Sequence, residues 1–248
     1  MLSTIKAELK LVIAGNHDID LDRDFFNQYE GLTRDHEEVV NLWNDPTTRA
    51  SGIVFLEEGT HSFVLESGAK FTVYASPYTP RYGESAFQYP SGQDRFNSTG
   101  TPVWAECVAT TKSAIPDFPV IDILMTHGPP KYILDDTAES NSGGCEHLRR
   151  AVRRSKPRIH CFGHIHRGWG ARRAVYDEDG ADDGLELMPP KFVGKNQCKR
   201  KGYATVNLDA LEHGKQTLFL NAAIMDDENE PSNAPWAISL DLPTMEGS

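Results

Sequence analysis

Several things are scarce in this chain, and each scarcity closes off a class of protein. Cysteine is limited to Cys107, Cys145, Cys161 and Cys198, widely spaced and without a Cys-x-x-Cys pair. That excludes the spacing of a zinc ribbon and the density of a disulfide framework, and it makes a reducing compartment the default. Long apolar runs are missing from the amino end, where Leu11–Ala14 falls far below the roughly 20 residues that span a bilayer. Positive charge is short as well, with 25 Lys and Arg against 36 Asp and Glu, a formal charge of -11. Nucleic acids and membrane surfaces are polyanions that recruit net positive charge, so neither is an expected partner. The expectation is a soluble cytoplasmic protein of 248 residues, one domain spanning 1–248 with a substantial core.

What is present is a repeated local design, in which an apolar strand pattern runs into a turn carrying histidine. Leu11-Val12-Ile13-Ala14 leads into Gly15-Asn16-His17-Asp18, and Ile121–Thr126 leads into His127-Gly128-Pro129-Pro130. Cys161-Phe162 leads into Gly163-His164-Ile165-His166, where strand geometry would place the two histidines on one side. Strand-end loops of an α/β sheet are where ligands usually sit. Imidazole is the commonest metal ligand.

The remaining pattern is read as follows. Thr4–Leu9 reads as the end of a helix, 53–56, 62–65 and 71–75 as strands, and Ser67-Gly68-Ala69 as a hairpin turn. Ser76–Pro102 reads as loop, and 103–114 has helical spacing. A helix from about Cys145 to Pro157, between the 121 and 158 strands, makes a βαβ unit, with Arg149, Arg150, Arg153 and Arg154 expected on a solvated face. Residues 171–202 read as a surface insertion, first acidic and then basic. Strand candidates follow at 203–208, 217–224 and 236–242. His160 is expected to pack in the core, whereas His36, His61, His147 and His213 are expected to face solvent. The cysteines read as small buried apolar residues.

Together these blocks resemble the calcineurin-like metallophosphoesterases. The closer similarity is to the small metallophosphoesterase-domain-containing subfamily, carried by 12–17, 121–130, Gly144-Cys145-Glu146 and 158–163. The resemblance implies an α/β fold, a two-sheet β-sandwich flanked by helices (αββα). It also implies a metal-dependent phosphoric ester hydrolase with two divalent ions (Mn, Zn or Fe), in which a metal-bridging hydroxide attacks phosphorus. Carried over by position, Asn16, His127 and His164 are ligands of one ion and His166 of the other, with His17 as the proton donor. Gly144, Cys145 and Tyr78 are candidate substrate contacts, Gly144 and Cys145 through backbone N–H groups at a helix start. The expected partner is a small phosphomonoester or phosphodiester, a nucleotide being one option.

One departure from the family pattern matters. Its first two blocks, Asp-x-His and Gly-Asp, lie upstream of the Gly-Asn-His-Asp block, and the fourteen residues before Gly15 contain neither Asp nor His. The chain therefore reads as incomplete at the amino end, a piece of a longer enzyme or a shortened form with impaired catalysis. The alternative function is a relative that uses the remnant pocket to bind a nucleotide or a protein.

Overall fold

A computed structural model describes residues 2–28, 35–138, 142–176, 185–189, 198, 200–206 and 211–244. Its centre is a seven-stranded mixed sheet with the order β12-β11-β14-β10-β9-β4-β3. The strands are β3 (Gly59–Val64), β4 (Lys70–Ser76), β9 (Ile123–Thr126), β10 (Ile159–Phe162), β11 (Gly170–Tyr176), β12 (Leu185–Leu187) and β14 (Gln216–Asn221). The four inner strands β4, β9, β10 and β14 run parallel, and the flanking strands are antiparallel to their neighbours. The inner strands therefore end on one side of the sheet, and Ser76, Thr126, Phe162 and Asn221 mark that edge.

Alternation along these strands builds two cores. Tyr74, Leu124, Phe162, Phe219 and Ala174 face one way and pack against Leu148, Ala151 and Val152 of helix α4 (Glu146–Ser155). Residues of opposite parity face the other way. Val73, Ala75, Ile123 and Met125 meet Leu11 and Val54 of a parallel pair, β1 (Lys10–Val12) with β2 (Ile53–Phe55). Ile159, Leu218 and Leu220 meet Val206 and Trp236 around a second pair, β13 (Ala204–Thr205) with β15 (Trp236–Ala237). Helices α2 (His36–Asn44) and α3 (Pro46–Ala50) lie outside β2, with the Trp43 and Phe55 rings 5.1 Å apart. The layers are helix, large sheet, small sheets, helix, as the resemblance implied. Shorter elements complete the set: α1 (Arg23–Phe26) and the two-residue pairs β5 (Thr79–Pro80) with β6 (Gln88–Tyr89) and β7 (Gln93–Asp94) with β8 (Glu106–Cys107).

Several local expectations need correction. Residues 103–114 form turns and β8 rather than a helix, because Val103 and Trp104 lie at the surface and Ser113 ties itself back to Thr110. Leu2–Thr4 is a single 3-10 turn, and no regular element covers residues 5–9. The first part of the 171–202 stretch belongs to the large sheet as β11, with Ala171 and Ala174 buried, and 185–187 pairs with it as β12. Residues 177–184, 190–197 and 199 lie outside the described residues.

Of the four arginines on α4, Arg153 is exposed as expected, whereas Arg149, Arg150 and Arg154 are tied down. Arg150 reaches Asp94 at 3.1 Å, and Arg154 binds Asp117 and the Ile115 carbonyl, so the helix clasps the 94–117 loop. His36 and His147 are buried, not solvent-facing: His36 Nδ1 contacts the Asp20 carbonyl, and the His147 ring stacks under Trp104. His160 is fully buried, as expected. Cys145 and Cys198 are buried, whereas Cys107 is exposed, and all four cysteines are free thiols.

Candidate metal and phosphoester site

The carboxyl ends of β9 and β10 sit side by side, since the Gly163 amide donates to the His127 carbonyl at 3.0 Å. This brings His127 and His164 together with ring centroids 4.8 Å apart. Asn16, on the turn after β1, completes the group: its Oδ1 lies 2.7 Å from His127 Nε2 and 3.2 Å from His164 Nδ1. The turn is fixed by the Gly15 amide donating to Asp18 Oδ2 at 2.7 Å and by the Asn16 carbonyl accepting from the Ala86 amide. Asn16 Nδ2 faces Ser85 Oγ, which leaves Oδ1 for the histidines.

Two backbone features make this approach possible. A side chain at Gly15 would put Cβ 2.7 Å from the His127 ring, so only glycine lets the imidazole lie against the turn. His164 takes a left-handed conformation with φ +66°, unusual for a residue with Cβ. Such strain, of order 1 kcal/mol or more, persists where surroundings hold it and gathers at functional sites.

Buried Asn221 supplies the hold. Its Nδ2 donates to the carbonyls of Ile165 (2.8 Å) and Leu134 (3.0 Å), and its Oδ1 accepts from the Ala223 amide. His166 is held by its Nδ1 donating to the Asp226 carbonyl at 3.1 Å, which leaves Nε2 with the lone pair.

Burial, then the neighbouring His164, His17 and His166, lowers His127 to a pKa of about 3. Burial and the nearby His166 and His17 lower His164 to about 4. Both rings are therefore neutral near pH 7, the form that ligates a metal. One carboxamide oxygen and two imidazole nitrogens already in mutual contact fit a single divalent ion of the Mn, Zn or Fe kind. Among the described residues, no group of three or more His, Cys, Asp and Glu is arranged to hold an ion.

His164 and His166 open onto a cleft of about 830 Å³ that Tyr78, Arg81, Gly128 and Cys145 also line. Tyr78 is fixed there, its face under Arg95 at 3.6 Å and Phe87 edge-on to it. Arg95 is itself clamped by both oxygens of Glu58, at 2.6 and 3.2 Å.

Gly144 and Cys145 do not play the part expected of them. The Gly144 amide donates to buried Asp135 Oδ2 and the Cys145 amide to the Pro129 carbonyl, so neither is free for phosphate. Cys145 caps α4 through Sγ, which accepts from the Leu148 amide, and burial pushes its thiol up to about 11. His17 is exposed and faces an adjacent depression with Asp18 and Asp20, not the main cleft. It is still close enough to lower the proton affinity of His127 and His164. Asp18 is engaged with the Gly15 amide.

The comparisons with known proteins agree with this architecture. The family model described as calcineurin-like phosphoesterase matches residues 2–168, more than half of the chain. The chain belongs to that family. Within it, the chain is 31% identical over 183 residues to metallophosphoesterase domain-containing protein 1 of Homo sapiens and of Mus musculus, covering 68% of this chain and 48% of each relative. It is also 35% identical over 170 residues to a protein of Emericella nidulans named probable rhamnogalacturonate lyase C, covering 68% of this chain and 13% of that protein. The chain thus spans less than half the length of these curated relatives.

Asn221, which braces the histidine loop, and Arg81 and Arg167, which line the cleft, were not expected at the site. Asn221 ends an inner strand, as the histidine-bearing turns do, and Arg167 directly follows the Gly-His-Ile-His block. Those positions were the available signals.

Proposed function

We propose that this calcineurin-like phosphoesterase is a metal-dependent hydrolase of small phosphoric esters, monoesters or diesters, with small nucleotides within its range. The observation that carries the reading is the meeting of Asn16 Oδ1, His127 Nε2 and His164 Nδ1 beside a cleft large enough for a drug-sized ligand. Asn16, His127 and His164 would hold a divalent ion, with His166 turning its free Nε2 toward the same cleft. Such an ion supplies Lewis acidity to a phosphoryl oxygen. The chain's own part is to keep both imidazoles neutral, to lock their carrier loop through Asn221, and to shape the wall with Tyr78. His17, exposed at the adjoining depression, is proposed as the proton donor to the leaving group. The four free thiols suit a reducing compartment, and cytoplasmic residence is proposed. Among the described residues, no helix is long and apolar enough to cross a membrane.

A second reading, a nucleotide- or protein-binding module without turnover, is favoured by one observation: the three convergent donors include no carboxylate. One experiment separates the two. The full chain is loaded with Mn or Zn and assayed on p-nitrophenyl phosphate and bis(p-nitrophenyl) phosphate, beside His164→Ala. Metal-dependent turnover that disappears in the variant supports the hydrolase. Bound metal without turnover on either ester supports the module.

A further inference from the structure

We infer that the cleft contains a second anion subsite, built by Thr79 and Arg81, and that the substrate is a phosphoester bearing a further anionic group such as a second phosphate. The inference rests on the hydrolase reading for the first phosphate and adds the class of molecule attached to it. Three observations support it.

The first concerns charge. Arg23, Arg95, Arg150, Arg154 and Arg158 are all paired with carboxylates. Arg81 and Arg167, both on the cleft wall, enter no ion pair among the described residues, although acidic residues outnumber basic ones by 36 to 25. Asp136 and Asp227 share that wall, yet no ion pair joins them to either arginine. A guanidinium left open in a concave site is suited to a phosphate, which it grips through paired N–H donors.

The second concerns a hydroxyl. Thr79 is 1% exposed, lines the same cleft, and its Oγ1 has no hydrogen-bond partner. A buried hydroxyl without a partner is costly, and an incoming anion would satisfy it. Thr79 opens β5 (Thr79–Pro80), Arg81 follows that strand directly, and both residues line the cleft.

The third is size. A cleft of about 830 Å³ far exceeds what a lone phosphate fills, so the rest of the ligand must occupy the wall beyond His164 and His166. Arg167, adjoining His166, is placed for the first phosphate, and Arg81 with Thr79 for the second.

The test is titration calorimetry on the full chain with chelator present, using inorganic phosphate and pyrophosphate as probes. The expected result is that pyrophosphate binds at least tenfold more tightly than phosphate. Arg81→Ala should remove that advantage while leaving phosphate affinity unchanged, and Thr79→Val should reduce it. Arg153→Ala, an exposed arginine outside the cleft, should leave both affinities as they were. Equal affinities in the wild-type chain would overturn the subsite. So would an Arg81→Ala chain that keeps the ratio, or an Arg153→Ala chain that loses it. Because the readout is binding, absence of ester turnover would count against the hydrolase reading and leave this result to be judged separately.

Discussion

Asn16 Oδ1 stands 2.7 Å from Nε2 of His127, two residues 111 positions apart in the chain. The contact joins the small β1–β2 layer to the edge of the large sheet. It makes Asn16 the member whose loss separates metal binding from folding. Asn16→Leu should abolish retention of Mn or Zn after desalting. Asn16→Asp keeps the oxygen, adds the missing negative charge and should tighten metal affinity, by tenfold or more if the added attraction exceeds about 1.4 kcal/mol. Metal content by mass spectrometry after dialysis checks both.

Gly15→Ala tests the close approach behind that contact. An added Cβ would sit 2.7 Å from the His127 ring, so the turn or the imidazole must move. A destabilisation of about 1–3 kcal/mol is expected, as for other overpacked sites. Metal retention should fall much further than the unfolding midpoint. A variant that binds metal like the parent would show that the turn relaxes freely.

Asn221 makes three side-chain hydrogen bonds while fully buried, and Asn221→Ala would strand the Leu134 carbonyl and the Ala223 amide, the Ile165 carbonyl keeping the Gly168 amide. Each stranded group costs about 1–3 kcal/mol, less whatever water recovers, so a loss of about 3 kcal/mol is expected. Urea denaturation should show a lowered midpoint with an unchanged slope.

His160 gives the chain an acid sensitivity of defined sign. Burial lowers its folded-state pKa to about 3, against an ordinary value of 6.5. Thr126 donates its hydroxyl proton to the Gly128 carbonyl and so accepts from His160 Nε2–H, which leaves the buried and unpartnered Nδ1 as the unprotonated nitrogen. Below pH 6.5 the unfolded chain takes up a proton that the folded chain refuses. The stabilisation is therefore complete above 6.5 and declines as pH falls toward 3, by about 1.4 kcal/mol per unit. Between pH 7 and pH 5, His160→Gln should lose about 2 kcal/mol less than the wild-type chain, measured by urea unfolding at each pH.

The sheet was legible where apolar runs were interrupted by turn chemistry. Ile123–Thr126 and Ile159–Phe162 form strands where the sequence placed them, and the helix between them ends at Ser155, with Lys156 as its cap just before Pro157. The same punctuation marked the turns that carry His17, His127 and His164 as strand ends, whereas the grouping of Asn16 with His127 and His164 came from the family resemblance. What stayed hidden depended on partners distant in sequence. Trp104 has the spacing of a helical core residue, but it caps His147 from the surface. Gly144 and Cys145 looked like open amides at a helix start, and only the folded chain brings Asp135 and Pro129 to claim them. The arginines of α4 read as solvated because their carboxylates and carbonyls lie on a loop with no regular pattern.

β14 is the last of the seven large-sheet strands in the chain, yet it lies inside the sheet, between β10 and β11. During synthesis on the ribosome, Asn16, His127, His164 and His166 are all polymerised before the residue that locks their loop. Until Gln216–Asn221 slots into place, the nascent polypeptide has an open seam beside β10 and an unbraced histidine turn. Long-range pairings of this kind close slowly and leave apolar edges open to chaperones in the meantime. The ability to capture an ion would thus arrive late in biogenesis, coupled to closure of the sheet.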